Sequence, residues 1–427
     1  MMEGWKTDKF KNQIQYKSGY TWTKEQELKT QEPNSVRVLT VTNIQKDLDL
    51  SEELYLQGVS EKDKKEKAVS KDWCIAVSSN GNRKRIGNAV FIKDDTDYLF
   101  ASFLTAFKPK DNSDILPDYF FRWLTLHNVQ ERITSVSEGT TGLGNLDIRY
   151  LRNMDIHFPE KQEQSAIAAV LSKVDEAIAA VQASISAAER LKKSLMQNLL
   201  TGRMKPDGTL RTEEEFYLDE KFGKIPVGWE VKKGIEITSK ITKGQSPKWQ
   251  GFEYQNEGIL FVTSENIRDG YIDVSKPKYL PLEFNKKIKN SQLAKGDVLI
   301  NIVGASIGRC AIFDLKAECA NTNQAVCVFR PNEENDSAFL SYYLQDETTQ
   351  KRLFRTQVET ARANLSLGDF RKFKFVIPKK DEQIEIAAKI NQFNKIIKDK
   401  VDKIAVLERL KKSLMQNLLT GRVRVKK

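Results

Sequence analysis

Residues 189–203 read ERLKKSLMQNLLTGR, and residues 408–422 read the same fifteen letters, 219 positions further on. A chain that carries such a copy is built from two versions of one unit, so its fold must place two equivalent globular parts and two equivalent helices. The repeat extends beyond the identical stretch. Pro159-x-x-x-Glu163-Gln164-x-x-Ile167-Ala168-Ala169 matches Pro378-x-x-x-Glu382-Gln383-x-x-Ile386-Ala387-Ala388, and Asn145-Leu146 matches Asn364-Leu365, at the same offset. Nearer the start the offset drifts: Asn43-Ile44 pairs with Asn266-Ile267 at 223 and Gly4-Trp5 with Gly228-Trp229 at 224. Insertions and deletions are thus confined to the globular parts, while the helical parts keep one length.

After each proline the pattern turns helical. Ile167, Leu171, Val174, Ile178, Val181, Ile185, Ala188, Leu191, Leu195 and Leu199 form a seam close to the heptad repeat. The second copy places Ile386, Ile390, Phe393, Ile397, Ile404, Leu407, Leu410, Leu414 and Leu418 likewise, with Lys400 interrupting. Gly202 and Gly421 suit the left-handed residue past a helix end. Over some forty residues such a helix is a rod of roughly 60 Å. The polar connector at 204–223, with its Pro206-Asp207-Gly208 turn, is near its limit of reach for a parallel pairing, so the helices are expected to pair antiparallel. Strand composition at Val36 to Val41, Cys74 to Val77, Val298 to Val303 and Ala325 to Phe329 alternates with short apolar helices at Tyr119 to Leu124 and Phe339 to Leu344. The expected class is α+β: two mixed α/β domains separated by a long antiparallel coiled coil, with pseudo-two-fold internal symmetry. The segments are 1–158 (first domain), 159–203 (first spacer helix), 204–223 (connector), 224–377 (second domain), 378–422 (second spacer helix) and 423–427 (basic tail).

The chemistry-bearing residues point to binding. Sixty-nine Lys and Arg against 58 Asp and Glu give a net charge of +11 over 427 residues, which favours a polyanionic partner. No phosphate loop, H-E-x-x-H motif or amino-methyltransferase N/D-P-P-[FYW] motif occurs. Four cysteines without a C-x-x-C pair and two histidines argue against a metal centre or a disulfide framework. With no apolar signal core or membrane-length run, the chain is expected to be cytoplasmic. The loop after Cys74 to Val77 carries Ser79, Asn80, Asn82, Arg83, Lys84 and Arg85, donors of the kinds that read base edges. Asp72 to Ile86 spans 14 positions and its counterpart, Asp297 to Ile307, only 10. In the second domain Lys243, Gln245, Ser246 and Lys248 lie on a glycine-proline loop, with Asn266, Arg268 and Arg309 as further DNA-binding candidates. The bland reading of both loops is a solvated basic turn.

Taken together, the alternation of two variable domains with two repeated helices resembles the specificity subunit of type I restriction-modification systems. So do Ile225-Pro226-x-Gly228-Trp229, Gly296-Asp297-Val298-Leu299-Ile300 followed by Gly304 and Ile307-Gly308-Arg309, and the repeated helix ends. The first domain departs from the pattern, since no Ile-Pro precedes Gly4-Trp5 and Lys71-Asp72 stands where Gly296-Asp297 stands in the second. The resemblance implies that each domain reads one half of a split double-stranded DNA site and that the coiled coil fixes the gap. It further implies two docked methyltransferase subunits and added restriction/translocase subunits. S-adenosylmethionine, ATP and Mg2+ would reside on those partners, and no catalysis or cofactor on this chain. Lys192, Lys193, Gln197 and Asn198 recur as Lys411, Lys412, Gln416 and Asn417, off the expected seam, and are the candidate docking residues. Gene conversion between the repeats would produce the same identity. The competing functions are a free-standing DNA-binding regulator and a coiled-coil scaffold.

Overall fold

The computed structural model describes residues 4–137, 144–354 and 364–425. It divides into two compact units, 1–182 with 402–427, and 183–401. The divisions fall at 182/183 in one long helix and 401/402 in the other, again 219 apart, so each unit owns half of each helix.

Each unit is built on the same four-stranded antiparallel sheet. In the first the order is Ile14–Ser18, Leu104–Pro109, Cys74–Val77, Ala89–Phe91. In the second it is Thr238–Lys243, Val326–Pro331, Val298–Asn301, Cys310–Ile312. Of the inner strands, Cys74–Val77 and Val298–Asn301 are buried at every position, so both of their faces are covered. Helices Pro117–Leu124 and His127–Ser135 pack in the first unit, and Ser337–Gln345 and Glu347–Phe354 in the second. A two-stranded ribbon then leads into each long helix: Lys6–Lys9 with Asp155–Phe158, and Glu230–Lys233 with Lys374–Ile377. The drifting sequence matches are local structures. Asn43 and Asn266 each accept hydrogen bonds from the backbone and hydroxyl of the threonine three residues earlier, Thr40 or Thr263, closing the same capped turn.

The long helices run Lys161–Leu200 and Lys380–Leu418. Gly202 and Gly421 follow them at φ +69° and +70°, the left-handed values that a side chain disfavours. In the first unit Ile167 and Leu171 share a core with Leu418 and Leu419; in the second, Leu199 and Leu200 share one with Ile386 and Ile390. The start of each helix meets the end of the other, so the pairing is antiparallel. The expected seam is corrected at one step. Leu191 is 61% and Leu410 46% exposed, whereas the neighbouring Lys192 and Lys411 are half-buried. The stripe Val181, Ile185, Ala188, Lys192, Leu195, Leu199 steps 4-3-4-3-4, a stricter heptad than one through Leu191. A lysine therefore occupies a heptad position in both copies, half-buried and at the edge of the seam.

The Glu-Gln pair after each proline locks domain to helix. Gln164 and Gln383 are both fully buried. Gln164 accepts from the Leu116 amide at 2.8 Å and donates to the Asp114 and Pro159 carbonyls, both at 2.8 Å. Gln383 accepts from the Asp336 amide at 2.9 Å and donates to Asn335 Oδ1 at 3.0 Å and the Pro378 carbonyl at 2.9 Å. The preceding glutamates each hold an arginine that follows the other helix, Glu163 with Arg424 and Glu382 with Arg211. The connector is more ordered than a loop: Phe216–Asp219 pairs with Gly223–Pro226 as a hairpin, and Arg211 lies over the Trp229 ring.

One further joint differs between the units. In the first, Arg122, its side chain 6% exposed, reaches Ser172 Oγ at 3.0 Å and the Asp175 carboxylate, which Lys411 also meets at 2.6 Å. In the second, the Tyr342 hydroxyl donates to Asn391 Oδ1 at 2.5 Å and accepts from Asn394 Nδ2 at 2.7 Å. Burial works against the Asp175 charge, but hydrogen bonds from Lys411 and Arg122 outweigh it and hold the carboxyl below its ordinary pKa. Asp118, 3.2 Å from Arg122, is the other carboxylate at this joint. Burial raises the Tyr342 pKa, aided by nearby Asp336 and opposed by the Asn394 hydrogen bond. The signs are opposite. The Asp175 contribution is complete above about pH 4 and is lost as pH falls through the depressed folded value. The Tyr342 contribution is complete below about pH 10 and is lost as pH rises through the raised one. Hydrogen exchange in residues 161–182 is therefore expected to quicken first on the acid side, and in 380–401 first on the alkaline side. Equal response of both segments to acid would contradict this assignment.

Candidate nucleic-acid interface and helix-end clefts

In the first unit the loop between Cys74–Val77 and Ala89–Phe91 is stiffened by its own side chains. Ser79–Asn80 pairs with Gly144–Asn145 as a short ladder. Asn80 accepts from the Asn82 amide at 2.8 Å, and Asn82 from the Lys84 amide at 3.1 Å. Two successive turns of this kind commit both asparagine oxygens to the backbone and present Arg83 and Lys84 to solvent. Arg85 is different: its Nη2 donates to the Val41 carbonyl at 3.0 Å and the Ile44 carbonyl at 2.7 Å, tying the loop to the capped turn at Asn43. Of the basic trio, two are presented and one is a brace.

In the second unit the glycine-proline loop leaves a different strand, Thr238–Lys243, which is equivalent to Ile14–Ser18 of the first unit. Gly244 lies so close to the neighbouring strand end that an added Cβ would stand 1.8 Å from the Thr322 carbonyl oxygen, so only glycine fits. Lys243, Gln245 and Lys248 are exposed, and Ser246 is half-buried. Sequence reasoning passed over the next residue: Trp249 is 84% exposed on the turn Lys248–Gln250, whereas Trp5, Trp73, Trp123 and Trp229 are buried. Tryptophan between Lys248 and Gln250 in a glycine-proline loop was the available signal. Asn266 is buried, with its amide donating to the Asp273 carbonyl at 2.9 Å in addition to its threonine bonds, so its polar atoms serve the turn. Arg268 sits 3.5 Å from Asp273 and Arg309 3.9 Å from Asp269; both are about 41% exposed. Arg268 thus faces a carboxylate of its own loop, and Arg309 one from the neighbouring loop that carries Asn266.

The candidate docking residues line equivalent clefts, one in each unit. In the second unit Glu189, Lys192, Lys193, Met196 and Gln197 form one wall of a cavity of 1040 Å3. In the first, Glu408, Lys411, Lys412, Met415 and Gln416 form the same wall of a 720 Å3 cavity, which Asn417 also lines. Asn198 lies outside the lining and donates to the Ser194 carbonyl at 3.1 Å. The opposite walls match too. Gln130 donates to the Gly87 and Leu124 carbonyls, and Gln350 to those of Gly308 and Leu344, bracing both floors identically. Electrostatics separates the two. Lys411 is engaged by Asp175, while Lys192 lies with neutral Asn394 in the lining, and burial lowers its pKa against a smaller opposing pull from Glu189. Lys193 meets Glu347 at 2.6 Å, and Lys46 meets Glu408 across the first cleft.

Among the described residues no cluster of His, Cys, Asp and Glu is arranged to hold a metal ion, and no helix is long and apolar enough to cross a membrane. Cys74, Cys310 and Cys327 are buried, and burial pushes their thiols up, Cys310 to about 12, away from the reactive thiolate.

Comparison with known proteins bears on the family and the fold. The family model described as "Type I restriction modification DNA specificity domain" matches twice, over residues 2–190 and 226–409. The MjaVIII specificity subunit of Methanocaldococcus jannaschii is 26% identical over 75% of this chain and 74% of its own length. The EcoBI specificity subunit of Escherichia coli is 25% identical over 65% of this chain and 60% of its own length. Among solved structures, a chain from a study of complex assembly and conformational transition of the type I R-M system aligns over 98% of both chains, with 15% identity and a TM-score of 0.56. The S subunit from M. genitalium covers 97% of this chain and 96% of its own, with 16% identity and a TM-score of 0.51.

Proposed function

From the premise that this chain belongs to the family of type I restriction-modification DNA specificity domains, we propose that its two units each read one half of a bipartite double-stranded DNA site. The paired helices set the gap, and the two helix-end clefts dock two copies of one methyltransferase subunit. The observation that carries this reading is the pairing of sameness and difference. The helix wall of each cleft and the helix ends are identical, as one repeated partner requires, while the loops on the shared sheets differ in length and charge, as two different half-sequences require. Adenine methylation, with S-adenosylmethionine, then belongs to the methyltransferases, and ATP- and Mg2+-dependent translocation and cleavage to further restriction subunits. All of this is placed in the cytoplasm. Lys243, Gln245, Lys248 and Trp249 in the second unit, and Arg83 and Lys84 in the first, are the side chains assigned to DNA.

The test is co-expression with candidate methyltransferase subunits, followed by mapping of methylated adenines. A two-part motif is expected, and replacing the first domain with that of a relative should rewrite only one part. Simultaneous change of both parts would refute independent reading.

The basic trio makes a finer prediction. Arg83→Ala is expected to weaken DNA binding by about 1–3 kcal/mol if it reads a base, or to flatten the salt dependence if it meets phosphate, with an unchanged melting temperature. Arg85→Ala is expected to lower the melting temperature, because the Val41 and Ile44 carbonyls lose their donor. Melting curves and salt titrations of the two variants separate the roles; identical behaviour would erase the distinction.

A further inference from the structure

The joint between domain and helix uses the same three places in both units, filled by two sets of side chains that do not mix. Arg122 corresponds to Tyr342, Ser172 to Asn391 and Asp175 to Asn394, the last two pairs at the common offset of 219. Set over a helix of the second type, the guanidinium of Arg122 would keep only Asp118, a half-exposed carboxylate on its own helix. A buried cation that loses its closer carboxylate, Asp175, and keeps only the more exposed Asp118 is destabilised. Set over a helix of the first type, Tyr342 would lose both amides and leave Asp175 with the seam lysine as its only cation.

We propose that these residues form a matching determinant that decides which recognition domain can be seated on which helix, and hence which domain exchanges give a folded protein. The placement of the divergent positions supports this. Residues 172 and 175 precede the identical segment 189–203, and residues 391 and 394 precede 408–422. A chain exchanged within the identical segment keeps each domain with its own joint, whereas one exchanged at Pro159 or Pro378 splits it. The seam lysine is common to both copies and serves either joint. Lys411 completes the charged one at Asp175, and Lys192 lies beside Asn394 in the open cleft of the neutral one. The consequence for DNA specificity rests on the reading of each domain as a half-site reader. The joint itself does not.

The experiment is a stability cycle on the full chain. The variant S172N/D175N gives the first helix the second helix's side chains beneath Arg122, and its first-unit melting transition is expected to fall by about 5–10 °C. Adding R122Y is expected to restore more than half of that fall despite a third substitution. The reciprocal set, N391S/N394D with and without Y342R, should behave alike in the second unit. If the double variant does not accumulate as folded protein, recovery of folded protein in R122Y/S172N/D175N supports the proposal. A triple variant no more stable than the double one overturns it. No DNA enters this measurement, so failure of the unmodified chain to recognise DNA would sink the functional reading and leave the matching cycle standing.

Discussion

Adding one heptad to both long helices at matched points, between Val181 and Ile185 and between Lys400 and Ile404, is expected to widen the gap in the methylated motif by about three base pairs while leaving both half-sequences unchanged. Seven residues at ~1.5 Å each lengthen a helix by about 10 Å, and each base pair rises ~3.4 Å. A whole heptad keeps the 4-3 stripe in phase, so Lys192 and Lys411 stay at seam positions. The insertion points bracket the divisions at 182/183 and 401/402, where each compact unit ends, so neither unit's core is cut. Extending only one helix should instead offset the antiparallel partners and destabilise the chain. Added length also turns one half-site about the DNA axis, so reduced activity is expected alongside the wider gap. The measurement is the methylation motif of the doubly extended variant: an active variant with its original gap would show that the helices do not set the spacing.

The second large effect is expected from Gln383→Ala. Its side chain amide satisfies the Asp336 N–H, Asn335 Oδ1 and the Pro378 carbonyl, and it is fully buried. Leaving buried polar groups unpaired costs about 1–3 kcal/mol each, so a loss of roughly 3–5 kcal/mol is expected in the second unit. Gln164→Ala should do the same to the first, through Leu116, Asp114 and Pro159. Calorimetry resolves the effect if each variant lowers one transition and spares the other. A loss below ~1 kcal/mol in either would mean that water replaces the amide without strain.

What could be read from sequence follows a physical division. The offset of 219, the helix spans, the glycine stops and the inner strands are legible because they depend on local periodicity and on residues with unusual backbone freedom. Partner choice is not local. Arg85 and Arg83 are two letters apart in one basic run, yet one faces solvent and the other binds carbonyls some forty residues away. Asn266 has the composition of a base reader and the geometry of a turn cap, and only its partners at Thr263 and Asp273 distinguish the two. The Leu191 step was misread because hydrophobicity was weighed above spacing: the strict heptad runs through Lys192, whose copy Lys411 meets a carboxylate at Asp175, far away in sequence. The connector hairpin escaped because Phe216–Asp219 and Gly223–Pro226 join through a turn without an Asn-Gly or Asp-Gly signal. The exposure of Trp249 had only its polar loop setting, between Lys248 and Gln250, to set against the usual reading of a tryptophan as core.

The division of the chain into units also sets a timetable for its synthesis. The second unit, residues 183–401, is one continuous stretch, whereas the first needs residues 402–427 as well as 1–182. Leu418 and Leu419, which close the first core around Ile167 and Leu171, emerge from the ribosome only after the whole of the second unit has been made. Domains usually mature in the order of their translation. Here that order is inverted: the domain made first is the last to be finished, and until then its half of the helix waits with an uncovered apolar stripe and Asp175 without its lysine.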